Sequence, residues 1–248
     1  MKIYLKKDRY LEKLAKAIDN ALDNNKEHIL NKFVTKYPVK MKNLKKAYGF
    51  YLIANAYNGI RKIKHKKNIN QIWRLEQEEV FKEIYYFRKA IQQEDFNSIG
   101  LELSLGIYVN LGNSFSHYGR TINAIKYYNK AIELRFSHEN VVNHENYFKA
   151  LISKAKTLED YSNLDYNIGH KSYFIKFAYK LYKEALNLFE KNKNIYHINI
   201  SIIDEMLNKV NFYSKLENIE NIEYFESYKI KFLEDENNYR KWCLSNKF

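Results

Sequence analysis

The chain has 248 residues, with 42 Lys and Arg against 29 Asp and Glu and a formal net charge of +13. An apolar content of 46% and an aromatic content of 16% exclude an intrinsically disordered chain. One Pro and seven Gly are too little turn punctuation for an all-β fold, and no apolar run approaches the roughly 18 residues of a membrane span. The opening stretch MKIYLKKDRYLEK has no apolar core of a secretory signal. The lone Cys243 excludes an intramolecular disulfide and a cysteine-rich zinc site. The expectation is a cytoplasmic, all-α protein with no membrane contact.

The charge is unevenly placed. Residues 1–70 hold 18 Lys or Arg against 5 acids, whereas residues 71–248 hold 24 of each. The 30 Asn lower the weight that any single Asn carries.

In chain order, residues 3–23 place Leu5, Leu11, Leu14, Ala15, Ile18 and Leu22 at helical spacing between lysines, which predicts an amphipathic helix. A shorter helix is expected over 28–36, stopping near Tyr37 because Pro38 disfavours helical geometry in the residue before it. Residues 1–40 then form an N-terminal helical cap. A helix pair follows at 47–60 and 77–92, separated by a basic, Asn-rich insertion over 61–70.

Residues 83–91 read EIYYFRKAI, residues 124–132 read AIKYYNKAI, and residues 178–186 read AYKLYKEAL. The three stretches align Phe87 with Tyr128 and Tyr182, and Ala90 with Ala131 and Ala185. The middle copy, LGIYVNLGNSFSHYGRTINAIKYYNKAIELRF at 105–136, is the most complete. It resembles a tetratricopeptide repeat (TPR), with Tyr108, Leu111, Gly112, Phe115, Ala124, Tyr128 and Ala131 at seven of the motif positions and Phe136 where Pro is usual. Small residues at Gly112, Ala124 and Ala131 let helices approach closely around Phe115 and Tyr128, and Gly119 is placed to end the first helix of the pair. A third pair is expected at 147–161 and 172–189, and a fourth at 195–216 and 219–234. The fold class expected is a right-handed, TPR-like α-solenoid of antiparallel helix pairs over 41–236, with a connector or docking tail at 237–248.

No chemistry-bearing motif emerges. The seven His fall in no metal-ligand spacing, and no GxGxxG, GxxxxGK[ST] or GxSxG pattern occurs. No metal, no cofactor and no catalytic residue is expected. The stretches YFRKAIQQ, LGIYVNLGNSFSHYGR, NAIKYYNKAIEL and NIGHKSYFIKFAYK resemble the N-terminal part of bacterial TPR–HEPN proteins, and the terminal NNYRKWCLSNKF resembles the junction to their HEPN domain. The resemblance covers roughly residues 45–248. HEPN nucleases carry Arg-x4–6-His; Arg61 to His65 and Arg135 to His138 are both too short for it, so no catalytic role carries over. The resemblance implies a non-enzymatic sensor or regulator beside a HEPN-type ribonuclease in anti-phage defence or a toxin system.

Two binding sites are expected. Asn55, Asn58, Asn110, Asn113, His117 and Lys156 fall on the face that would line the concave groove of a TPR array, where amides can pair with a peptide backbone or carboxylate. Arg61, Lys62, Lys64, Lys66 and Lys67, with His65 and with Lys40, Lys42, Lys45 and Lys46 nearby, form a basic patch. That patch suits an acidic protein surface or, as the alternative function, RNA bound through the basic N-terminal third. Tyr57 and Trp73 are the aromatics closest to it in sequence.

Overall fold

The computed structural model describes residues 2–41, 46–67, 78–164 and 171–215. Among the described residues the fold is all-α: nine α-helices and three short 3-10 turns, with no strand. The chain divides into two compact units, Met1–Tyr118 and Gly119–Phe248. The division falls inside the stretch 41–236 expected to be one array, between the two helices of the most motif-complete copy. No helix among the described residues is long and apolar enough to cross a membrane.

The first unit holds α1 (Lys2–Asp23), α2 (Glu27–Met41), α3 (Ala47–Lys67), α4 (Glu78–Ile91) and α5 (Leu101–His117). Helix α1 buries Leu11, Ile18 and Ala21, one apolar stripe, while Lys13 and Lys16 stay exposed. Asn25 turns the chain with a φ of 52°, a left-handed conformation that Asn tolerates better than bulkier residues. Helix α2 adds Leu30, Phe33 and Val34, and α3 adds Leu52, Ile53, Ala56, Ile60 and Ile63 to the same core. Gly59 brings α3 close to α2: a Cβ there would meet Leu30 Cδ1 at 2.8 Å. The first backbone N–H of α3, on Ala47, donates to Asp95 Oδ1 at 3.0 Å, which ties the start of α3 to the α4–α5 connection.

Two elements are longer than the sequence suggests. Helix α2 does not stop before Pro38 but continues to Met41. Proline's fixed φ is itself helical, so in a last turn it removes one donor and crowds one carbonyl without forcing the chain out. The buried residues Leu30, Phe33 and Val34 hold the turns before it. Helix α3 does not end at Ile60 but runs to Lys67, so residues 61–67 of the expected insertion are helical. Ile63, 1% exposed, extends the buried series Ile53, Ala56 and Ile60 at helical spacing, and Lys and Arg are good helix formers. Helix α5 ends at His117, and Gly119 follows with a left-handed φ of 76°.

The second unit holds α6 (Thr121–Glu133), α7 (Glu145–Ser162), α8 (Lys171–Asn192) and α9 (Ile200–Ser214). Two 3-10 turns, Leu134–Phe136 and Glu139–Asn143, link α6 to α7. Helix α9 begins five residues later than expected. Tyr196 is buried with its hydroxyl donating to the Val142 carbonyl, His197 N–H donates to Glu145 Oε2 at 3.2 Å, and Asn199 caps the helix by accepting from Ser201 N–H at 3.0 Å. These contacts hold 196–199 outside the helix, against the start of α7 and the 3-10 turn before it. In each unit consecutive helices pack on one another, and α1 also packs on α3. The expected helix over 219–234, the tail and Trp73 lie outside the described residues.

Candidate functional site

Helices α3, α4 and α5 of the first unit converge on a buried carboxylate. Glu83 is fully buried. Its Oε1 accepts from Arg61 Nε at 2.5 Å; its Oε2 accepts from Ser114 Oγ at 2.9 Å, Asn58 Nδ2 at 3.1 Å and Arg61 Nη2 at 3.3 Å. Arg61 and Ser114 are buried as well. Four donors from two neighbouring helices thus answer one carboxylate, which is what a buried charge requires. Aligned by the internal repeat, Glu83 stands where the other copies carry Ala124 and Ala178, both also buried.

That network takes two residues away from the roles expected of them. Arg61 is not part of an exposed basic patch: it points inward because position 61 shares the buried side of α3 with Ile60 and Ile63. Asn58 gives its amide to Glu83. Asn55 and Asn110, by contrast, meet each other, Asn110 Nδ2 donating to Asn55 Oδ1 at 3.3 Å, and both are half-buried. Burial pushes the Tyr51 hydroxyl up, and Asn55 on the same helix opposes that shift. Asn113 and His117 are half-buried on α5, three and seven residues beyond Asn110 and hence on its side of the helix. Lys156 lies in the second unit, where its ammonium pairs with Glu205 at 2.9 Å.

The remaining basic residues sit on the exposed side of the last two turns of α3. Lys62, Lys64, His65 and Lys66 are exposed. Lys64 pairs with Glu79 at 2.5 Å and Lys66 donates to Asn25 Oδ1 at 3.5 Å. The side chains of Lys67, Lys40, Lys42 and Lys45 lie outside the described residues. Packing also brings aromatics to this end that sequence distance conceals. Tyr57 stacks on Tyr86 with ring centroids 5.8 Å apart, Lys82 lies over the Tyr57 ring, and Phe81 and Tyr85 are exposed on α4.

A second acid, half-buried, organises the other unit. Glu159 on α7 accepts from Tyr182 Oη of α8 at 2.9 Å and from Lys209 Nζ and Tyr213 Oη of α9. Burial alone would raise its pKa, but the hydrogen bonds from Lys209, Tyr213 and Tyr182, with the Lys209 charge, outweigh it and hold the carboxyl below its ordinary value. Burial, then the Glu159 charge and hydrogen bond, push the Tyr182 hydroxyl far up; burial and the Glu159 hydrogen bond do the same to Tyr213. Sequence reading missed both acids. The signal for Glu83 was present, as the lone charge at a position that is Ala in both other copies; Glu159 has no comparable mark.

Among the described residues no group of three or more His, Cys, Asp or Glu could hold a metal ion. No family model, curated protein or solved structure matches this chain.

Proposed function

We propose that the chain is a non-catalytic, TPR-like helical scaffold that binds a protein or peptide through the amides of α3 and α5, and that it acts as sensor or regulator beside a HEPN-type ribonuclease. The observation that carries the binding reading is the Asn55–Asn110 amide pair. It joins two helices 55 residues apart in sequence while both side chains keep partial solvent access. An amide pair of this kind can exchange its internal hydrogen bond for the N–H and C=O of an extended ligand at little cost. The TPR-like reading draws support from the aligned trio of each copy: Phe87, Tyr128 and Tyr182 are at most 1% exposed, and Ala90, Ala131 and Ala185 are fully buried. Affinity capture from phage-infected cells with wild type and an Asn55→Ala/Asn110→Ala variant of unchanged helicity tests the groove. Loss of specific partners from the variant is expected; identical partner sets would remove these amides from the proposal.

One arrangement favours the RNA-binding alternative. Exposed Phe81 and Tyr85 lie on α4 beside Lys82 and Lys89, aromatic faces flanked by cations as in single-strand binding surfaces. On that reading, log affinity for a labelled single-stranded RNA falls linearly with log salt, and Lys62→Glu/Lys66→Glu flattens the slope by about 1–2. Absence of binding at physiological salt discards it.

A further inference from the structure

The outer side of α4 in the first unit is aromatic where a surface helix is normally polar. Phe81, Tyr85 and Arg88 fall within an arc of about 60°, opposite the buried Glu83, Phe87 and Ala90. Phe81 is 47% and Tyr85 54% exposed, and Arg88 is exposed beside them. Both rings are braced by a second ring set across them. Phe81 meets Tyr118, the residue that closes α5, with centroids 4.8 Å apart and planes at 66°. Tyr85 meets Tyr86 at 5.0 Å and 83°. Tyr86 is itself stacked with Tyr57 at 5.8 Å and with Phe50 at 6.3 Å, so Tyr85 is the outermost ring of a row that begins on α3. Charge is unbalanced along the same strip. The three acids of α4 each have a cation, Lys82 for Glu78, Lys64 for Glu79 and Arg61 for Glu83. No carboxylate of the described residues pairs with Arg88 or Lys89, and Lys89 lies over the Tyr85 ring, 5.6 Å from its centroid.

We propose that this strip binds single-stranded RNA, with neighbouring bases stacked on Phe81 and Tyr85 and the phosphates beside them held by Arg88 and Lys89. It rests on the RNA-binding reading above and gives that reading a stacking site separate from the lysines of α3. Each nucleotide carries a flat ring and an anion, the two chemistries that α4 answers side by side. An acidic protein segment would match Arg88 and Lys89 but would bring carboxylates against the negative faces of the two rings. The Cα atoms of Phe81 and Tyr85 are one turn apart, about 6 Å along the axis, which is wider than the roughly 3.4 Å rise between bases in a duplex. Neighbouring bases therefore reach both rings only when unstacked from each other, as a single strand permits and a duplex does not. Tyr118 and Tyr86 already restrain the rings, so binding sacrifices little side-chain freedom. Attraction at longer range comes from the whole unit, since residues 1–118 carry 22 Lys and Arg against 12 Asp and Glu.

Fluorescence anisotropy of the full chain tests this, with a labelled single-stranded RNA of mixed sequence and the same strand annealed to its complement as probes. The single strand is expected to bind about tenfold or more tightly than the duplex. Phe81→Ala/Tyr85→Ala is expected to weaken single-strand binding by about tenfold or more and to leave the salt slope unchanged, because stacking releases no counterions. Arg88→Gln/Lys89→Gln is expected to flatten that slope by about 1–2. Phe81→Leu/Tyr85→Leu keeps apolar bulk without a ring and is expected to lose as much as the alanine pair, whereas Tyr85→Trp keeps a ring and is expected to bind as wild type does. Leucine variants that bind like wild type overturn stacking. RNA binding that both ring variants leave intact overturns the strip while the RNA-binding reading stands, and absence of any binding at physiological salt removes both. Equal affinity for the duplex, or displacement of the RNA by an oligoglutamate peptide at equal charge concentration, overturns the proposal in favour of a phosphate contact alone or an acidic protein partner.

Discussion

Arg61→Ala is expected to destabilise the first unit by about 3–5 kcal/mol. The substitution leaves Glu83, fully buried, with a charge answered only by Asn58 and Ser114. Water cannot take the place of the guanidinium, because Arg61 and Glu83 side chains are 9% and 0% exposed. Glu83→Ala is expected to cost a similar amount for the converse reason, a guanidinium stranded among Ile60, Ile63 and its neighbours.

The double variant Arg61→Met/Glu83→Ala separates two explanations of the pair. If the ion pair were the source of stability, removing both partners would cost at least as much as removing one. Desolvating two charges is expensive, however, and replacement by apolar groups of similar volume is often neutral or better. Ala is also the residue that the aligned positions 124 and 178 already carry in a buried setting. The double variant is therefore expected within about 1 kcal/mol of wild type. Urea unfolding followed by circular dichroism measures all three; a double variant as unstable as either single one contradicts the argument. Recovery would indicate that Glu83 is kept for something other than stability, such as fixing how α3, α4 and α5 sit around the Asn55–Asn110 pair.

Helix positions were legible because the apolar residues recur at helical spacing over long runs, as in Leu11–Ile18–Ala21 or Ala178–Tyr182–Ala185. The two helix ends that escaped, at Pro38 and after Ile60, did so because local preference was weighed without the core that holds the preceding turns. Ile63 was the available sign that the lysine run remained helical. The site residues were legible by type and not by partner. Nothing in the chain's charge pattern distinguishes inward Arg61 from outward Lys62 until the helix phase of α3 is known.

The second large effect belongs to Glu159, and its sign with pH follows from its partners. Its folded pKa lies below the ordinary 4.5, so its contribution is complete above that value and is lost as pH falls through the folded pKa. Tyr182 and Tyr213 have folded pKa values above the ordinary 10, so what their hydroxyls contribute is complete below 10 and is lost only as pH rises through the folded values. The cluster joining α7, α8 and α9 is thus intact across the whole neutral range and weakens at the acid end first. Glu159→Ala removes the shared acceptor of three donors and is expected to cost about 2 kcal/mol near pH 7. The cost is smaller than for Arg61 because the Glu159 and Lys209 side chains are 13% and 26% exposed, so water can reach part of what is left. Glu159→Gln keeps one acceptor oxygen and is expected to lose about half as much. The stability gap between wild type and Glu159→Gln, measured by urea midpoint, should narrow steadily as pH falls below 4.5, since protonation does to the wild type what the substitution has already done. A gap that is constant from pH 7 to 3 would mean that the charge of Glu159 contributes nothing and that its three neighbours are held by packing alone.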